Sequence, residues 1–144
     1  MNTPDWLTLF IKVYQNLNTN NLHTLEQTYH QDIEFQDPMH HLKGFNALHV
    51  YFSHLYDNLL SCHFDVSNTV VDDEQAVLFW TMTFEHPSLN KGQAITVEGN
   101  SLLKQKDGKV IYHRDQLDLG AMLYEHIPLL GRVIKTVKSR ASQY

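Results

Sequence analysis

A single cysteine, Cys62, stands in 144 residues, which excludes an internal disulfide and any Cys-based zinc site and suits a reducing cytoplasm. No apolar run approaches the roughly 18 residues of a membrane span. The opening MNTPDWLTLF has no basic region ahead of its apolar residues, so it does not read as a secretory signal. Positive charge is scarce too. Against 16 Asp and Glu there are only 11 Lys and Arg, a formal charge of −5, which argues against a nucleic-acid partner requiring a concentrated basic face. No glycine-rich run follows a predicted strand, so there is no phosphate loop. Histidine is plentiful at ten residues, yet none stands in a His-x3-His or His-Glu-x2-His spacing. Neither a metal nor another cofactor is therefore expected. With 42% hydrophobic and 19% charged residues the chain is neither disordered nor fibrous, and its length is that of one domain.

Apolar residues recur at Trp6, Leu9, Phe10, Val13, Tyr14 and Leu17, the steps of three and four of an amphipathic helix over 5–17. Thr3 or Asp5 suits its N-cap. A shorter helix is predicted over 22–29, then a short strand at Ile33-Glu34-Phe35 that Asp37-Pro38 ends. Phe45, Leu48, Phe52, Leu55, Tyr56 and Leu59 restore the helical spacing. Beyond them the period falls to two, predicting strands over 63–71, 76–86, 94–105 and 110–119. Asp72-Asp73-Glu74 and Lys106-Asp107-Gly108 form the tips between them. Helices followed by antiparallel strands make an α+β fold, with helices on one concave face of a curved sheet. Such a cone, open at one end, is a natural pocket for a small molecule. The remaining tail carries Arg132, Lys135, Lys138 and Arg140 beside Val133, Ile134 and Val137. It reads as a solvated amphipathic helix packing on the rim or on a partner subunit, with a membrane-surface role as the alternative.

These residues resemble the nuclear-transport-factor-2-like superfamily, in its SnoaL-like branch. MNTPDWLTLFIKVY and YHQDIEFQDP, with Thr81-Met82-Thr83-Phe84-Glu85, are similar to bacterial ketosteroid isomerase. That resemblance implies an oxyanion-donating phenol at Tyr14 and a proton-abstracting carboxylate at Asp37. DGKVIYHRDQLDL looks like the closing strand of limonene-type epoxide hydrolases, where the carboxylate matching Asp115 belongs to a catalytic Asp-Arg-Asp set. The chain departs from both. Trp80 to Phe84 supplies neither the Arg nor the second Asp of the hydrolase, and the isomerase's second acid falls near Gly99–Ser101, where a Ser hydroxyl is the closest substitute. The resemblance implies a cone-shaped α+β barrel over 1–120, with 121–144 as a helical tail of the same domain. It also implies a homodimer paired through the outer sheet face, where Arg114, Gln116 and Asp118 would lie.

On the last strand, alternation sets Ile111, His113, Asp115 and Leu117 on one face, and the resemblance implies that Asp115 points inward. A carboxylate on an apolar wall is costly to bury and needs a reason, and His113 beside it is a proton carrier near neutrality. The expected catalytic set is Asp37, Asp115, Tyr14 and His113. The expected ligand wall is Trp80, Met82, Phe84, Phe52 and Tyr56, with His40 at the mouth. Tyr14 equally belongs to the core stripe of its helix, and Asp37 before a proline equally suits a turn cap. The expected ligand is a small hydrophobic molecule with one polar end, and the expected chemistry is cofactor-free isomerisation or dehydration. A non-catalytic binding or interaction domain is the alternative, and an epoxide hydrolase is less favoured.

Overall fold

A computed structural model of the chain describes residues 3–143; the first two residues and Tyr144 lie outside the described residues. Helix α1 spans Asp5–Gln15 and begins on Pro4, whose carbonyl accepts the Leu7 and Thr8 N–H groups. Proline's fixed φ suits that entry, and neither Thr3 nor Asp5 caps it through a side chain. The buried stripe is Leu7, Phe10, Val13 and Tyr14. Trp6 and Leu9 sit at its half-buried margin, so the stripe lies slightly rotated from the one predicted.

The helix predicted over 22–29 is a 3₁₀ turn at Leu22–Thr24 and a single α turn, α2, at Leu25–Thr28. A four-residue helix has almost no cooperativity to hold its end. Tyr29 therefore leaves it for the sheet and becomes the first residue of β1 (Tyr29–Gln36). A short β2 (His41–Lys43), not anticipated from the sequence, folds back on β1. Gly44 then takes φ +89°, a conformation open to glycine, and α3 (Phe45–Asp57) follows. Next come β3 (Ser61–Asp72), β4 (Gln75–Glu85), β5 (Ile95–Lys106) and β6 (Lys109–Leu117), joined as a meander. The Asp107-Gly108 tip has φ of 55° and 79°, the double positive φ of a hairpin turn matched to strand twist.

The sheet order is β2-β1-β6-β5-β4-β3, antiparallel except where β1 and β6 run parallel. This is an α+β fold whose helical layer covers one face of a curved sheet, as the cone required. The inward row of β4 is Ala76, Leu78, Trp80, Met82 and Phe84, and that of β5 includes Ile95, Val97, Ser101 and Leu103. On β6 the predicted alternation holds for His113, Asp115 and Leu117 but not for Ile111. A bulge between the pairs Lys104–Tyr112 and Gln105–Val110 shifts the phase, so Val110 is fully buried and Ile111 only half.

After β6, Asp118 caps the one-turn α4 (Leu119–Met122) by accepting the Ala121 N–H. A 3₁₀ turn at Tyr124–His126 leads to α5 (Leu130–Ala141). Lys138 of α5 donates to both Asp118 and Glu125 at 3.3 Å, and Val133 and Val137 face outward. The tail is thus an amphipathic helix latched beside α4.

Gly99 pairs with Trp80 across β4 and β5, and the indole lies over it. A Cβ there would meet Trp80 Cη2 at 2.4 Å and Cζ2 at 2.7 Å. Gly99→Ala is expected to destabilise the chain by about 1–3 kcal/mol in urea denaturation, the usual cost of overpacking. It should also change the Trp80 fluorescence, which a substitution remote from the indole would leave alone.

Candidate functional site

Between α3 and the concave face of the sheet lies a cavity of about 270 Å³. Phe64, Trp80, Met82 and Phe84 form its sheet wall, and Phe52 and Tyr56 reach it from α3. Met39, Leu119 and Met122 add further apolar side chains to the lining. Within this lining stand two carboxylates, Asp37 and Asp115, and the phenols Tyr14, Tyr51 and Tyr56.

Asp115 is held on one oxygen. Ser101 donates to Oδ1 at 2.5 Å, and His113 Nε2 lies 2.6 Å from the same atom. The Ser101 oxygen in turn accepts the Trp80 indole N–H at 2.8 Å. Oδ2 has no protein partner among the described residues, and the side chain, 18% exposed, lines the cavity. The Ser101 proton is thus committed to Asp115 and is not offered to a ligand. His113 is itself fully buried and does not line the cavity. It lies beneath Asp115, stacked on Tyr29 and edge-on to Phe10 and Phe35. Its Nδ1 is 2.6 Å from the Tyr29 hydroxyl, which is 2.5 Å from that of Tyr14. A continuous hydrogen-bonded chain therefore runs Trp80–Ser101–Asp115–His113–Tyr29–Tyr14.

Asp37 is engaged on both oxygens. Oδ1 accepts the backbone N–H groups of Met39 and His40 and faces His40 Nδ1 at 3.0 Å. Oδ2 accepts the Tyr51 hydroxyl at 2.8 Å. The carboxylate organises the Asp37-Pro38-Met39-His40 turn at the end of β1 while its side chain lines the cavity. His40 packs at a tilt against Tyr51 outside the lining, so it supports Asp37 and does not form a wall. The histidine that does line the cavity is His86, which the expected site does not include. It directly follows β4 in phase with Trp80, Met82 and Phe84, so the alternation of the strand predicted over 76–86 was the available signal. Two further residues escaped the sequence reading. Tyr29 was placed on a helix, and Tyr51 lies off the stripe assigned to α3; its spacing of three from Leu48 and four to Leu55 was the available signal. Among the described residues no three His, Cys, Asp or Glu side chains converge as metal ligands.

Residues 10–113 match the model of the SnoaL-like domain. The chain belongs to the SnoaL-like family. Solved structures with the same fold include a protein assigned as a SnoaL-like polyketide cyclase from Jannaschia sp. CCS1, 15% identical (TM-score 0.73, covering 85% of this chain and 94% of that one). A protein of ketosteroid-isomerase-like fold from Catenulispora acidiphila, solved with trimethylamine, is 13% identical (TM-score 0.72, covering 85% and 92%). An epoxide hydrolase of limonene type from M. tuberculosis is also 13% identical (TM-score 0.67, covering 84% and 86%). None of the curated proteins matches the sequence. At these identities the likeness establishes the nuclear-transport-factor-2-like fold of this SnoaL-like chain, and its site must be judged on its own residues.

Burial is the first cause that raises the phenols of Tyr14, Tyr29, Tyr51 and Tyr56 above the ordinary 10.0. For Tyr51 the Asp37 charge adds to it. Burial likewise pushes the Cys62 thiol from 9.0 up to about 11, so the thiol is a poor nucleophile at neutral pH. Each of these groups keeps its proton longer folded than unfolded. Their contribution is complete below the unfolded values and is lost as pH rises through the folded ones. Through these groups stability is expected to be insensitive to pH between about 7 and 8, where their contribution is complete, and to fall above about pH 9–10. Thermal melts followed with tyrosinate absorbance check this, since ionisation of the four phenols should accompany unfolding and not precede it.

Proposed function

We propose that this SnoaL-like chain holds a small, mostly apolar molecule and moves a proton on it without a cofactor, with Asp115 as proton carrier. One observation carries the reading: both internal donors to Asp115 converge on Oδ1, while Oδ2 remains unpaired on a side chain that lines an apolar cavity. Burying a carboxylate is expensive, and a merely structural one would be paired on both oxygens. Asp37 is the contrast. Its lone pairs are taken by the turn and by Tyr51, so in this reading it shapes the mouth.

The chemistry follows from the residues. A C–H next to a ligand carbonyl gives its proton to Asp115 Oδ2, and the bonding pair moves to the carbonyl oxygen as an enolate. Returning the proton to another carbon is an isomerisation. Losing a hydroxyl from the carbon beyond, with that proton, is a dehydration. Trp80, Met82 and Phe84 exclude water from the enolate, and Tyr14 is the cavity-lining phenol that belongs to the Asp115 network. The second reading, a binding domain without chemistry, is favoured by what the wall lacks. The stretch Trp80 to Phe84 carries neither the Arg nor the second Asp of the hydrolase pattern, and the Ser101 proton is already committed. Self-association through the outer sheet face, where Arg114, Gln116 and the 41%-exposed Phe79 stand, completes the proposal.

Deuterium exchange next to the carbonyl of 1-tetralone, followed by NMR in heavy water, tests the chemistry without knowledge of the natural substrate. The wild-type chain should accelerate it. Asp115→Asn should lower the acceleration by about 10²–10⁴-fold with binding changed only a few-fold, and unchanged exchange removes the acid–base reading. Sedimentation velocity should give twice the chain mass, and Phe79→Asp should return the monomer; a monomeric wild type removes the dimer.

A further inference from the structure

Asp115 and Tyr14 both line the cavity and belong, with the Trp80 indole of its wall, to one hydrogen-bonded chain whose protons can be counted. The Trp80 N–H can only donate, so the Ser101 oxygen accepts it and the single Ser101 proton goes to Asp115 Oδ1. When the Asp115–His113 pair holds only the one proton of a neutral imidazole, Nε2 carries it toward Oδ1 and Nδ1 is bare. Tyr29 must then donate to Nδ1 and Tyr14 to Tyr29, both phenols being kept protonated by burial. The Tyr14 proton is turned away from the cavity.

One more proton between Asp115 and His113 reverses the chain. With that proton on the imidazole or on Oδ1, the atom His113 shares, Nδ1 bears hydrogen and donates to Tyr29; a proton taken up on Oδ2 leaves Nδ1 bare and the chain as it was. Tyr29 then donates to Tyr14, and the Tyr14 O–H is free to face the cavity. We infer that His113 and Tyr29 are positioning residues that let Tyr14 donate to a ligand carbonyl only while the Asp115–His113 pair holds its extra proton. The inference rests on the cavity and on Asp115 as read above, and it narrows the ligand. The loaded pair presents a donor beside a carboxyl oxygen, the complement of a ketone with an adjacent C–H. Unloaded, it presents two acceptors, the complement of a hydroxyl.

The resemblance to ketosteroid isomerase implies a donor at Tyr14 outright; the condition comes from contacts of this chain. Around the imidazole, α1 sets Phe10 and Tyr14, β1 sets Tyr29 and Phe35, and β6 sets Asp115. From β5, Leu103 lies opposite and Ser101 acts through Asp115; from α3, Phe52 lies edge-on to Tyr14 and Phe35 and stacks on Tyr56. No other charged side chain among the described residues pairs with it.

Two probes that differ by one oxygen test this: 1-tetralone and tetralin, with affinity read from the fluorescence of Trp80 at about pH 5 and about pH 9. The wild-type chain should bind tetralone about tenfold more tightly than tetralin at the lower pH, the value of one hydrogen bond, and lose that advantage at the higher. Tetralin affinity should be flat. Tyr29→Phe deprives Tyr14 of its internal acceptor, so the advantage should persist at both pH values. Tyr14→Phe should abolish it at both, and it serves alone if Tyr29→Phe does not fold. The inference is overturned if wild-type tetralone binding shows no advantage at low pH, if tetralin shows the same pH dependence, or if either variant retains the wild-type dependence. Failure of the acid–base reading appears separately, as deuterium exchange that survives Asp115→Asn while these affinities stand.

Discussion

A carboxylate oxygen with two donors on it, Asp115 Oδ1, is the point on which the interior of this protein depends. An ionised carboxyl inside an apolar cone carries a desolvation penalty of several kcal/mol. Ser101 and His113 offset it, each hydrogen bond to the charged group contributing about 1.5–3 kcal/mol. The arrangement reaches further than its two donors. Ser101 is oriented by the Trp80 indole, and the indole finds its place because Gly99 has no side chain. The aromatic wall of the cavity and the polarity of its carboxylate therefore have the same origin in β4 and β5.

On the other side of Asp115 the support comes from the closing of the sheet. β1 runs parallel to β6, so Phe35 lies beside His113, and Tyr29 of the same strand reaches its Nδ1. Helix α1 then lays Phe10 and Tyr14 across the top. Residues 84 positions apart in the chain share one short hydrogen bond, and every member of the network is buried or half-buried. Polarisation along such a chain strengthens its bonds, and breaking any link leaves a buried polar group without a partner. The network is both a structural brace and the most chemically organised part of the molecule.

The two cavity carboxylates show how one fold separates their tasks. Asp37 sits at a strand end, where backbone N–H groups converge and a tyrosine closes the remaining side. Asp115 sits mid-strand, where the backbone is occupied by the ladder and only side chains can reach it. Location alone thus ties one into its turn on both oxygens and leaves the other with an oxygen unpaired among the described residues. The SnoaL-like family shares its fold with cyclase-like, isomerase-like and hydrolase-like relatives, and differences of this kind decide what one cone can do.

Periodicity by itself determined the elements. The three- and four-residue steps of α1 and α3, the alternation of β3 to β6 and the polar tips between them are local properties, so the α+β layout and the shared faces Trp80-Met82-Phe84 and His113-Asp115 were legible in the sequence, while the family resemblance implied that Asp115 points inward. Tertiary structure decided the rest wherever local preference was weak or a partner lay far along the chain. Tyr29 left a one-turn helix because strand pairing outweighs so short a helix, and a bulge exchanged Ile111 for Val110. The partners of Asp37 and Asp115 depended on distances no spacing rule contains. Histidine composition pointed at ten residues. Only the folded chain showed that His113 lies under the floor, that His40 braces a turn and that His86 lines the cavity, because burial and hydrogen bonding are properties of neighbours in space.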